Sequence, residues 1–558
     1  MPPQLRALAA ALAAGLLLLA APGLRADPCP VSTDTSPERW QGEHAWQALE
    51  AAGYRIGRVR IQVDDVFDLT NPEEDTWYGR TADVLHVNTR PHVIREQLLF
   101  KPAQPVDARR IYESVRRLRS LPFLRYADIT PASCSFGVAE VSVHVKDAWT
   151  LKFDLNFAHV GGQSSFGLSF KDVDFLGTGK TLAVGHQSDT ERSRNQVSYE
   201  DPALLGSRWT LGMTYAHLSD GFVRSLDLGQ PFYEDDAPWS LFIHYLDQQQ
   251  NLNFYNATRL AWRATDTQQR TELDWMRLVD WEADTGDRAG FSFLSQDYQY
   301  GPLQSFPRTA LTQPVLDPRR YVGVGGAWER FQDRYASFTN IALIGRTEDY
   351  NLGWDVDGLA GYFPTAFGSD LPAWFYSVSG TKGSMLGDET LVLGSADVSG
   401  RRQQGTDRAV LADLVFTLYN QHFDDQTLVA HGELHYSLRP EPEDLQYLGG
   451  LQGMPGYPNY LFLGDRRWQA HLSDRVTTST RLLNIFQVGF AVYADAGQIR
   501  QVNTNSWSKT LVDAGIALRL GDVRSAYGGV IYVTYAWPLV KVPGATSRQF
   551  VIGNIINF

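Results

Sequence analysis

The feature that most constrains the fold is an alternation of apolar and polar residues that recurs from residue 149 onward. In Trp149–Phe157, aromatic and aliphatic residues occupy the odd positions, and Thr, Lys, Asp and Asn occupy the even positions. The pattern returns at Trp209–Tyr215, Thr427–Tyr436 and Gln487–Gly497. Successive side chains of a β-strand point to opposite faces, so the alternation predicts strands with one apolar face each. No convincing helix is predicted in this region.

An amphipathic strand must bury or solvate each face, which leaves two architectures. In a soluble sandwich the apolar face turns inward, whereas in a membrane barrel it faces lipid and the polar face lines the lumen. The last residues favour the membrane barrel. Phe550, Ile552, Ile556 and Phe558 lie on one face of a predicted strand, whereas the ends of soluble proteins are usually poorly ordered and rarely form an apolar strand. We therefore expect a mainly β protein with a transmembrane antiparallel barrel of about 16 strands, at roughly 25 residues per strand and connection.

The composition fits a membrane barrel and argues against a nucleic-acid-binding protein. Aromatic residues make up 12% of the 558 residues, an enrichment that suits the aromatic girdles of membrane barrels. The mean hydropathy of −0.27 does not contradict a membrane location, because alternating strands have a low average. The net charge of −13 argues against nucleic acid as a partner.

The first residues have the pattern of a secretory signal peptide. A short basic head precedes an Ala- and Leu-rich stretch and a small-residue cleavage site, which assigns residues 1–26 to the signal peptide. Residues 27–53 are expected to form a linker with one short helix near Glu38–Ala51. Only two cysteines occur, Cys29 and Cys134. They are a possible disulfide in an oxidising compartment or two separate thiols, and both interpretations remain open.

Residues 54–147 predict a small domain of the order β-α-α-β-β. Thr89 and Asp107 are each placed to cap a helix, and Pro91 lies in the first turn of the first helix. Residues 68–83, between the first strand and the first helix, are expected to be a polar excursion. The three predicted strands are Tyr54–Phe67, Tyr126–Thr130 and Val138–Lys146.

Five segments follow one another in a specific order: His86–Arg90, Leu98–Phe100, Arg116–Arg119, Val145–Leu151 and the hairpin Asp174–Lys180. Together with the terminal strand, this order resembles the BamA/TamA outer-membrane assembly superfamily, which includes the two-partner secretion transporters. The resemblance implies a single POTRA domain at 54–147 and a surface-antigen-type barrel at 148–558. The terminal Gly553, Ile556 and Phe558 resemble the signal by which barrels reach the assembly machinery.

The resemblance also implies an inward-folded loop with a partner strand. The family motif is Val or Leu, Arg, Gly, then Phe or Tyr, and its Arg meets a strand that carries Phe-x-Asp-x-Gly. The corresponding residues here are Met454, Pro455, Gly456 and Tyr457 in the loop, and Asp495 and Gly497 in the strand.

Pro455 stands where the family has its Arg, so the usual lock of the loop is in doubt. Alternation places Asp495 in the lumen, where a carboxylate ordinarily needs a cationic partner. Arg466, Arg467 and Arg475 are the candidates to replace the missing Arg as this partner.

Other motifs give little support for catalysis or cofactors. Gly177-Thr178-Gly179-Lys180 lacks the first glycine of a phosphate loop and precedes a predicted strand, so a tight hairpin is the better interpretation. His431, Glu433 and His435 share a strand face and are a weak metal candidate. The basic run of a predicted helix is interpreted mainly as a solvated face, with a partner or lipid headgroups as the alternative. Its members are Arg109, Arg110, Arg116, Arg117 and Arg119.

These observations predict a non-enzymatic outer-membrane protein without a cofactor. The barrel contacts outer-membrane lipid, and the POTRA domain lies in the periplasm and receives a client polypeptide or a partner protein. The leading function is assembly, insertion or translocation of polypeptides. The alternatives are a two-partner secretion transporter, with residues 38–51 as a reduced plug, a passive pore or lipid-handling barrel, and a barrel hydrolase.

Overall fold

The computed structural model describes most of the chain. The described residues are residue 29 and residues 41–72, 75–160, 163–306, 311–423, 425–524, 529–543 and 548–553. The expected signal peptide and two residues of the expected terminal signal, Ile556 and Phe558, lie outside this part. Gly553, the third residue of that signal, is the last residue of the final described strand.

The described residues form four α-helices and a larger number of strands. The helices are α1 (Gln41–Ala51), α2 (Trp77–Leu85), α3 (Pro91–Gln97) and α4 (Ala108–Ser120). The first strands are β1 (Arg55–Asp64), β2 (Leu124–Ser135), β3 (Val138–Asp147), β4 (Leu151–Val160), β5 (Gln163–Asp172), β6 (Thr181–Ser188), β7 (Ser193–Asp201), β8 (Thr210–Leu218), β9 (Gly221–Gln230), β10 (Trp239–Asn256), β11 (Arg259–Glu282), β12 (Thr285–Tyr300), β13 (Gln304–Ser305) and β14 (Arg319–Gln332). The remaining strands are β15 (Tyr335–Thr339), β16 (Thr347–Asn351), β17 (Trp354–Phe363), β18 (Ala373–Leu386), β19 (Thr390–Gln403), β20 (Thr406–Phe423), β21 (Gln426–Leu438), β22 (Gln446–Leu448), β23 (Phe462–Leu482), β24 (Phe486–Gln501), β25 (Ser506–Trp507), β26 (Leu511–Asp522), β27 (Val530–Pro538) and β28 (Gln549–Gly553).

The chain divides into two compact units that do not coincide with the predicted boundary after residue 147. Helices α2 and α3 and the last turn of α4 are grouped with the large sheet rather than with the rest of the predicted domain. The first unit is Met1–Gln62, Leu98–Val115 and Asp128–His144, and the second is Val63–Gln97, Arg116–Ala127 and Val145–Phe558.

The first unit has an apolar core around α1. Trp46 and Leu49 of α1 are fully buried together with Ile111 and Ile129, and the indole Nε1 of Trp46 donates to the carbonyl of Ile129 at 2.9 Å. Helix α1 agrees with the short helix expected near Glu38–Ala51, and its two apolar residues complete this core. The strands that supply the core belong to a three-stranded sheet of order β1-β3-β2. A disulfide joins Cys29 to Cys134.

The predicted order β-α-α-β-β agrees with the observed elements except for α2, which lies in the expected polar excursion. The hydroxyl of Thr76 accepts the N–H of Gly79 at 3.1 Å and starts this helix. Trp77 and Val84 of α2 are mainly exposed. Asp107 caps α4 as predicted, because its carboxylate accepts the N–H of Arg110 at 3.0 Å. No helix in the described part of the chain is long and apolar enough to span a membrane.

The second unit contains a large antiparallel sheet that closes on itself. Apart from β15 and β16, which form a separate two-stranded sheet, the strands from β4 onward follow one another around the ring in chain order, and β28 lies beside β4. Among the described residues, twenty strands of this ring have five or more residues, while β13, β22 and β25 are shorter. The expected number of about 16 is too small, because the first six strands of the ring, β4–β9, all lie within residues 151–230 and therefore use far fewer residues each than we assumed.

The two faces of the sheet have the opposite polarity to a soluble protein. On β24 and β26, Val492 and Ile516 are 55% and 52% exposed, respectively. On the other face of the same strands, Asp495, Asp513 and Arg519 are 3%, 0% and 1% exposed. Apolar side chains therefore point outward and charged side chains point inward, as in a membrane barrel and not as in a soluble sandwich.

Candidate functional site

The connection between β21 and β23, residues 439–461, carries the predicted loop motif and is called the inner loop. Its first residues bind the barrel wall through two glutamates. Arg319 Nη1 lies 3.7 Å from Glu441 Oε2, and Arg319 Nη2 contacts Glu443. Arg401 of β19 contacts Glu441 as well, and the hydroxyl of Tyr300 donates to Glu443 Oε2 at 3.0 Å. These contacts attach the start of the loop to β12, β14 and β19.

The middle of the inner loop is packed so closely that two positions require glycine. Gly450 and Gly453 have φ angles of 52° and 90°, which side chains rarely adopt. A Cβ atom at Gly450 would lie 1.9 Å from Asn459 Oδ1, and one at Gly453 would lie 2.1 Å from Gln469 Nε2. Gln469, on β23, donates to the carbonyl of Gln452 at 2.8 Å. The glycines therefore let the loop backbone lie directly on the wall.

Met454 and Tyr457 of the predicted motif anchor the loop by burial. Both side chains are fully buried, in a cluster with Leu448, Leu461, Ile499, Leu511 and Val542. The hydroxyl of Tyr457 lies 2.8 Å from the carbonyl of Val512 and 3.0 Å from that of Val540. The same oxygen accepts the N–H groups of Val512 and Val540 at 3.2 and 3.3 Å. Tyr457 thus joins the loop to β26 and to the connection after β27.

Gly456 binds the carboxylate of Asp513, which lies beside Asp495 of the predicted partner strand. Its N–H donates to Asp513 Oδ2 at 2.5 Å, whereas Asp495 Oδ1 lies 2.5 Å from Nδ1 of His471. Asp495 and Asp513 are direct cross-strand partners on β24 and β26. The loop therefore binds the carboxylate next to Asp495, one strand further on.

The arginines considered as substitutes for the missing Arg have other partners. Arg466 donates to the hydroxyl of Tyr436 at 3.3 Å, Arg467 to Glu433 at 3.1 Å, and Arg475 to Ser473 at 3.3 Å. A backbone N–H after Pro455, rather than a guanidinium, supplies the hydrogen bond to the wall.

Gly497, the other predicted residue of the partner strand, makes room for the loop. A Cβ atom there would lie 3.3 Å from Leu448 Cδ1 and 3.2 Å from the carbonyl oxygen of Trp468. Leu448 belongs to the same buried cluster as Met454 and Tyr457. Gly497 therefore contributes space rather than a polar contact.

Three tyrosines that the sequence analysis missed attach the loop to the hairpin of β10 and β11. The rings of Tyr255 and Tyr460 stack with centroids 4.4 Å apart, and Tyr447 meets Tyr460 edge to face at 5.0 Å. The hydroxyl of Tyr447 accepts the N–H of Tyr255 at 2.9 Å. Tyr255 lies far from the loop in the sequence, and no local motif signals the contact.

The Gly-rich hairpin Asp174–Lys180 is a tight turn that packs on residues 88–93. Gly177 and Gly179 both have φ angles of 71°. A Cβ atom at Gly177 would lie 2.4 Å from the carbonyl oxygen of Asn88, and one at Gly179 would lie 2.7 Å from Val93. Strand β6 follows at Thr181. The observed turn agrees with the hairpin interpretation and not with a phosphate loop, which needs a helix at this point.

Asp174 and Asp147 fix this hairpin and the entry to the barrel. Thr89 Oγ1 donates to Asp174 Oδ2 and the N–H of Thr89 donates to Asp147 Oδ2, both at 2.7 Å. Thr89, the residue predicted to cap α3, therefore gives its hydroxyl proton to Asp174. His86 Nε2 lies 3.1 Å from Asp147 Oδ2. Asp174 is 1% exposed, and burial raises the pKa of this carboxyl to about 6.

The weak metal candidate does not converge on a single point. His431 Nε2 lies 3.2 Å from Glu433, but His435 turns to Asp413, which it meets at 2.6 Å. Arg467 also binds Glu433, at 3.1 Å. In the described part of the chain, no group of three or more His, Cys, Asp or Glu side chains is placed to hold a metal ion.

The interpretation of the basic helix as a solvated face is wrong for its last turn. Arg116 Nη2 lies 2.9 Å from both Asp235 and Asp333, and Arg119 lies 3.6 Å from Asp349. Their side chains are 11% and 17% exposed. The acidic partners lie in connections between barrel strands, which are distant in sequence.

Comparison with known proteins gives similarity to solved structures only. No family model and no curated protein matches the chain. BamA from Haemophilus ducreyi lacking POTRA domains 1–3 is 13% identical, covering 89% of this chain and 84% of that one, with a TM-score of 0.41. CdiB from Acinetobacter baumannii is 13% identical over 90% and 74%, with a TM-score of 0.41. CdiB from Escherichia coli is 11% identical over 89% and 75%, with a TM-score of 0.42. Similarity at this level assigns neither a family nor an activity.

Proposed function

We propose that the chain is an outer-membrane β-barrel protein that assembles, inserts or translocates polypeptides. In this proposal residues 148–558 span the membrane, and residues 54–147 form a periplasmic POTRA domain that receives the client. The protein acts without a catalytic site or a cofactor. The observation that carries the proposal is the inverted polarity of the closed sheet.

The inverted polarity is strongly unfavourable for a protein surrounded by water. Large apolar side chains are exposed around the ring, among them Phe166, Val197, Phe291, Leu414 and Phe490. Monomeric soluble proteins rarely expose a continuous apolar surface of this kind. Lipid removes the penalty, because the outward residues meet acyl chains and the backbone groups are paired between strands.

The inner loop supports polypeptide handling over a passive pore. The pore alternative relied on a loop loosened by Pro455, but Glu441 and Glu443 bind Arg319 and Arg401. The loop also binds the opposite wall through Asp513. A barrel that is held closed in this way needs a conformational change to act, and β28 beside β4 offers a seam for it.

The two-partner secretion alternative loses one of its supports. It treated residues 38–51 as a reduced plug, but α1 contributes Trp46 and Leu49 to the core of the first unit. Translocation of a polypeptide remains within the proposed function, because an inner loop that can move would serve either direction of transport.

A reconstitution assay tests the proposal directly. The full chain is reconstituted in vesicles of outer-membrane-type lipid, and a urea-unfolded eight-stranded barrel is added as the probe client. We expect the client to fold faster than in vesicles that contain heat-denatured protein, as measured by its heat-dependent gel mobility. Equal folding rates in the two vesicle preparations would contradict the assembly function.

The membrane location is tested separately on the wild-type chain. A folded barrel extracted from purified outer membranes migrates anomalously on a gel until it is boiled. If the protein is recovered from the soluble periplasmic fraction and shows no mobility shift, the barrel is not in the membrane.

A further inference from the structure

The connection between β14 and β17 is much larger than its neighbours at the same end of the barrel. Strands β15 and β16 pair from Tyr335 with Asn351 to Thr339 with Thr347 and form a separate two-stranded sheet. By contrast, three residues join β18 to β19. Residues 333–353 are called the hairpin plug.

The tip of the hairpin plug lies inside the barrel. Ile344 is fully buried and packs with Ala491 of β24, Ala517 of β26 and Tyr532 of β27. Ala491 and Ala517 alternate with the outward-facing Val492 and Ile516, so they belong to the inner wall. The wall is also shaped for the tip: a Cβ atom at Gly521 would lie 2.4 Å from Cβ of Ile344.

The hairpin plug crosses a large part of the ring before it reaches this wall. Gln421 of β20 donates to the carbonyl of Thr339 at 2.9 Å, and Thr427 of β21 donates to the carbonyl of Asn340 at 3.1 Å. Glu348 braces the tip, because its carboxylate accepts the N–H groups of residues 341, 342 and 343 at 3.0 to 3.2 Å. From β14 and β17, the segment therefore contacts β20 and β21 and ends on β24, β26 and β27.

The base of the hairpin plug binds residues 116–124 of the same compact unit. Arg116 lies 2.9 Å from Asp333, and its guanidinium is 3.9 Å from the centre of the Tyr335 ring. Arg119 lies 3.6 Å from Asp349. Arg346, in the hairpin plug, donates to the carbonyl of Leu124 at 2.9 Å. Partly buried ion pairs of this kind are weakened much less by salt than exposed ones.

We propose that the hairpin plug is a gate that closes the lumen at the end where β4 begins, and that Arg116 and Arg119 latch it shut. The inference rests on the proposed function, since only a barrel that passes or releases a polypeptide needs such a gate. Releasing the two arginines from Asp333, Asp235 and Asp349 frees the base, and the tip then leaves the wall.

The gate is tested by the accessibility of a cysteine under the tip. The described residues contain no free cysteine, so Ala491→Cys introduces a single reactive thiol on the inner wall. Detergent-solubilised full-length protein is treated with a large, water-soluble maleimide. We expect labelling to accelerate about tenfold or more when Arg116→Ala and Arg119→Ala are added, because labelling follows the open fraction. Replacing residues 335–351 by a short Gly-Ser linker should accelerate it further.

The matched control is Ala494→Cys, which faces outward on the same strand. Its labelling should not change with the arginine substitutions or with removal of the hairpin plug. If Ala491→Cys reacts equally fast with the latch intact and with it removed, there is no gate. If the linker variant fails to fold, the arginine variant alone decides.

An engineered disulfide lock tests whether the tip of the hairpin plug must leave the wall for the gate to open. A Cβ atom at Gly345 would lie 3.8 Å from Cβ of Val523, which is a favourable spacing for a disulfide. We expect Gly345→Cys with Val523→Cys to cross-link on oxidation and to suppress the fast labelling of Ala491→Cys in the arginine variant. Reduction should restore it, and Gly345→Cys alone should have no effect.

The lock and the proposed function fail in distinguishable ways. Absence of the cross-link in protein that retains its heat-dependent mobility would overturn the gate and leave the membrane barrel intact. Loss of the mobility shift in the wild type would instead overturn the membrane barrel.

Discussion

At the scale of single residues, a hydrogen bond from the backbone N–H of Gly456 to the carboxylate of Asp513 helps to hold the inner loop on the wall. Gly456 and Tyr457 could be identified from the sequence, because the motif is local and alternation gives the face of its partner strand. Asp513 could not, since its contact with Gly456 depends on the register of β24 with β26. The sequence therefore indicated the strand of Asp495 but not its neighbour Asp513.

Gly456→Ala should destabilise the inner loop. Its Cβ atom would lie 2.7 Å from both Cβ and Oδ2 of Asp513, and overpacking of this kind costs about 1–3 kcal/mol. The measurement is the temperature at which the folded gel form is lost. Gly432→Ala is the control, because its nearest neighbour, the carbonyl oxygen of Gln469, lies 3.9 Å away. Equal transition temperatures for the two variants would refute the close contact.

Asp174 should give the folded protein a distinct dependence on pH. Its pKa is about 6 when buried, against 3.8 for the free side chain. This difference corresponds to a change of roughly 3 kcal/mol in the free energy of unfolding between low and high pH. Because the pKa is raised, the stabilising contribution of the protonated carboxyl is fully present below about pH 4. It is lost as the pH rises through about 6.

Asp174→Asn tests this dependence, because an amide stays neutral and keeps one oxygen for Thr89. The midpoint of thermal unfolding is measured between pH 4 and pH 7 for both proteins. Wild type should lose stability relative to the variant as the pH rises through this window. Parallel curves would show that Asp174 does not titrate as expected, and Thr89→Ser serves as a control that retains the hydroxyl.

At the scale of elements, the sequence predicted those helices, strands and turns whose formation depends on neighbouring residues in the chain. The strands of the small domain, α3, α4 and the glycine hairpin follow from periodicity, capping and turn chemistry. Helix α2 was missed because it is only nine residues long and follows a polar segment. The last turn of α4 was interpreted as solvated because Asp333 and Asp349 come from distant connections.

Gly177→Ala should weaken the Asp174–Lys180 hairpin more than its backbone angle alone explains. The left-handed conformation costs a side-chain-bearing residue roughly 1 kcal/mol, and the Cβ atom would also meet the carbonyl oxygen of Asn88 at 2.4 Å. Gly387→Ala is a matched control, since Gly387 has a φ of 69° and no neighbour within 4 Å. Equal losses in thermal unfolding temperature would show that the packing on Asn88 is unimportant.

The start of the inner loop should detach when its charges are removed. Glu441→Gln with Glu443→Gln leaves Arg319 and Arg401 without their carboxylates, and an uncompensated buried charge is strongly destabilising. We expect faster protease cleavage within residues 439–461 of the folded protein. Glu389→Gln is the control, because Glu389 is exposed and pairs with His422 outside the loop. Unchanged cleavage would mean that the tyrosine contacts alone hold the loop.

At the scale of the whole molecule, alternation predicted the antiparallel sheet and the faces of its strands. The strand number could not be predicted well, because it depends on how short the first connections are. The division into compact units was also beyond the sequence, since residues 63–97 and 116–127 are grouped with the barrel through long-range contacts.

Val492→Arg distinguishes a lipid-facing surface from a water-facing one. Val492 is 55% exposed, so in a soluble protein the change would alter stability by about 0.5 kcal/mol or less. On a lipid face, arginine costs about 2–4 kcal/mol near the bilayer centre. Folding is measured in vesicles, with Phe136→Arg in the turn between β2 and β3 as the control. Equal effects of the two substitutions would contradict a lipid-facing position for Val492.

The strict alternation of β24 and β26 also limits how the length of this chain can change. Deleting one residue from β24 would rotate every following side chain by half a turn and move Asp495 to the outer face. Two deleted residues would preserve the faces and only shorten the strand. Natural insertions and deletions in relatives of this chain should therefore occur in the connections, and any within strands should come in even numbers.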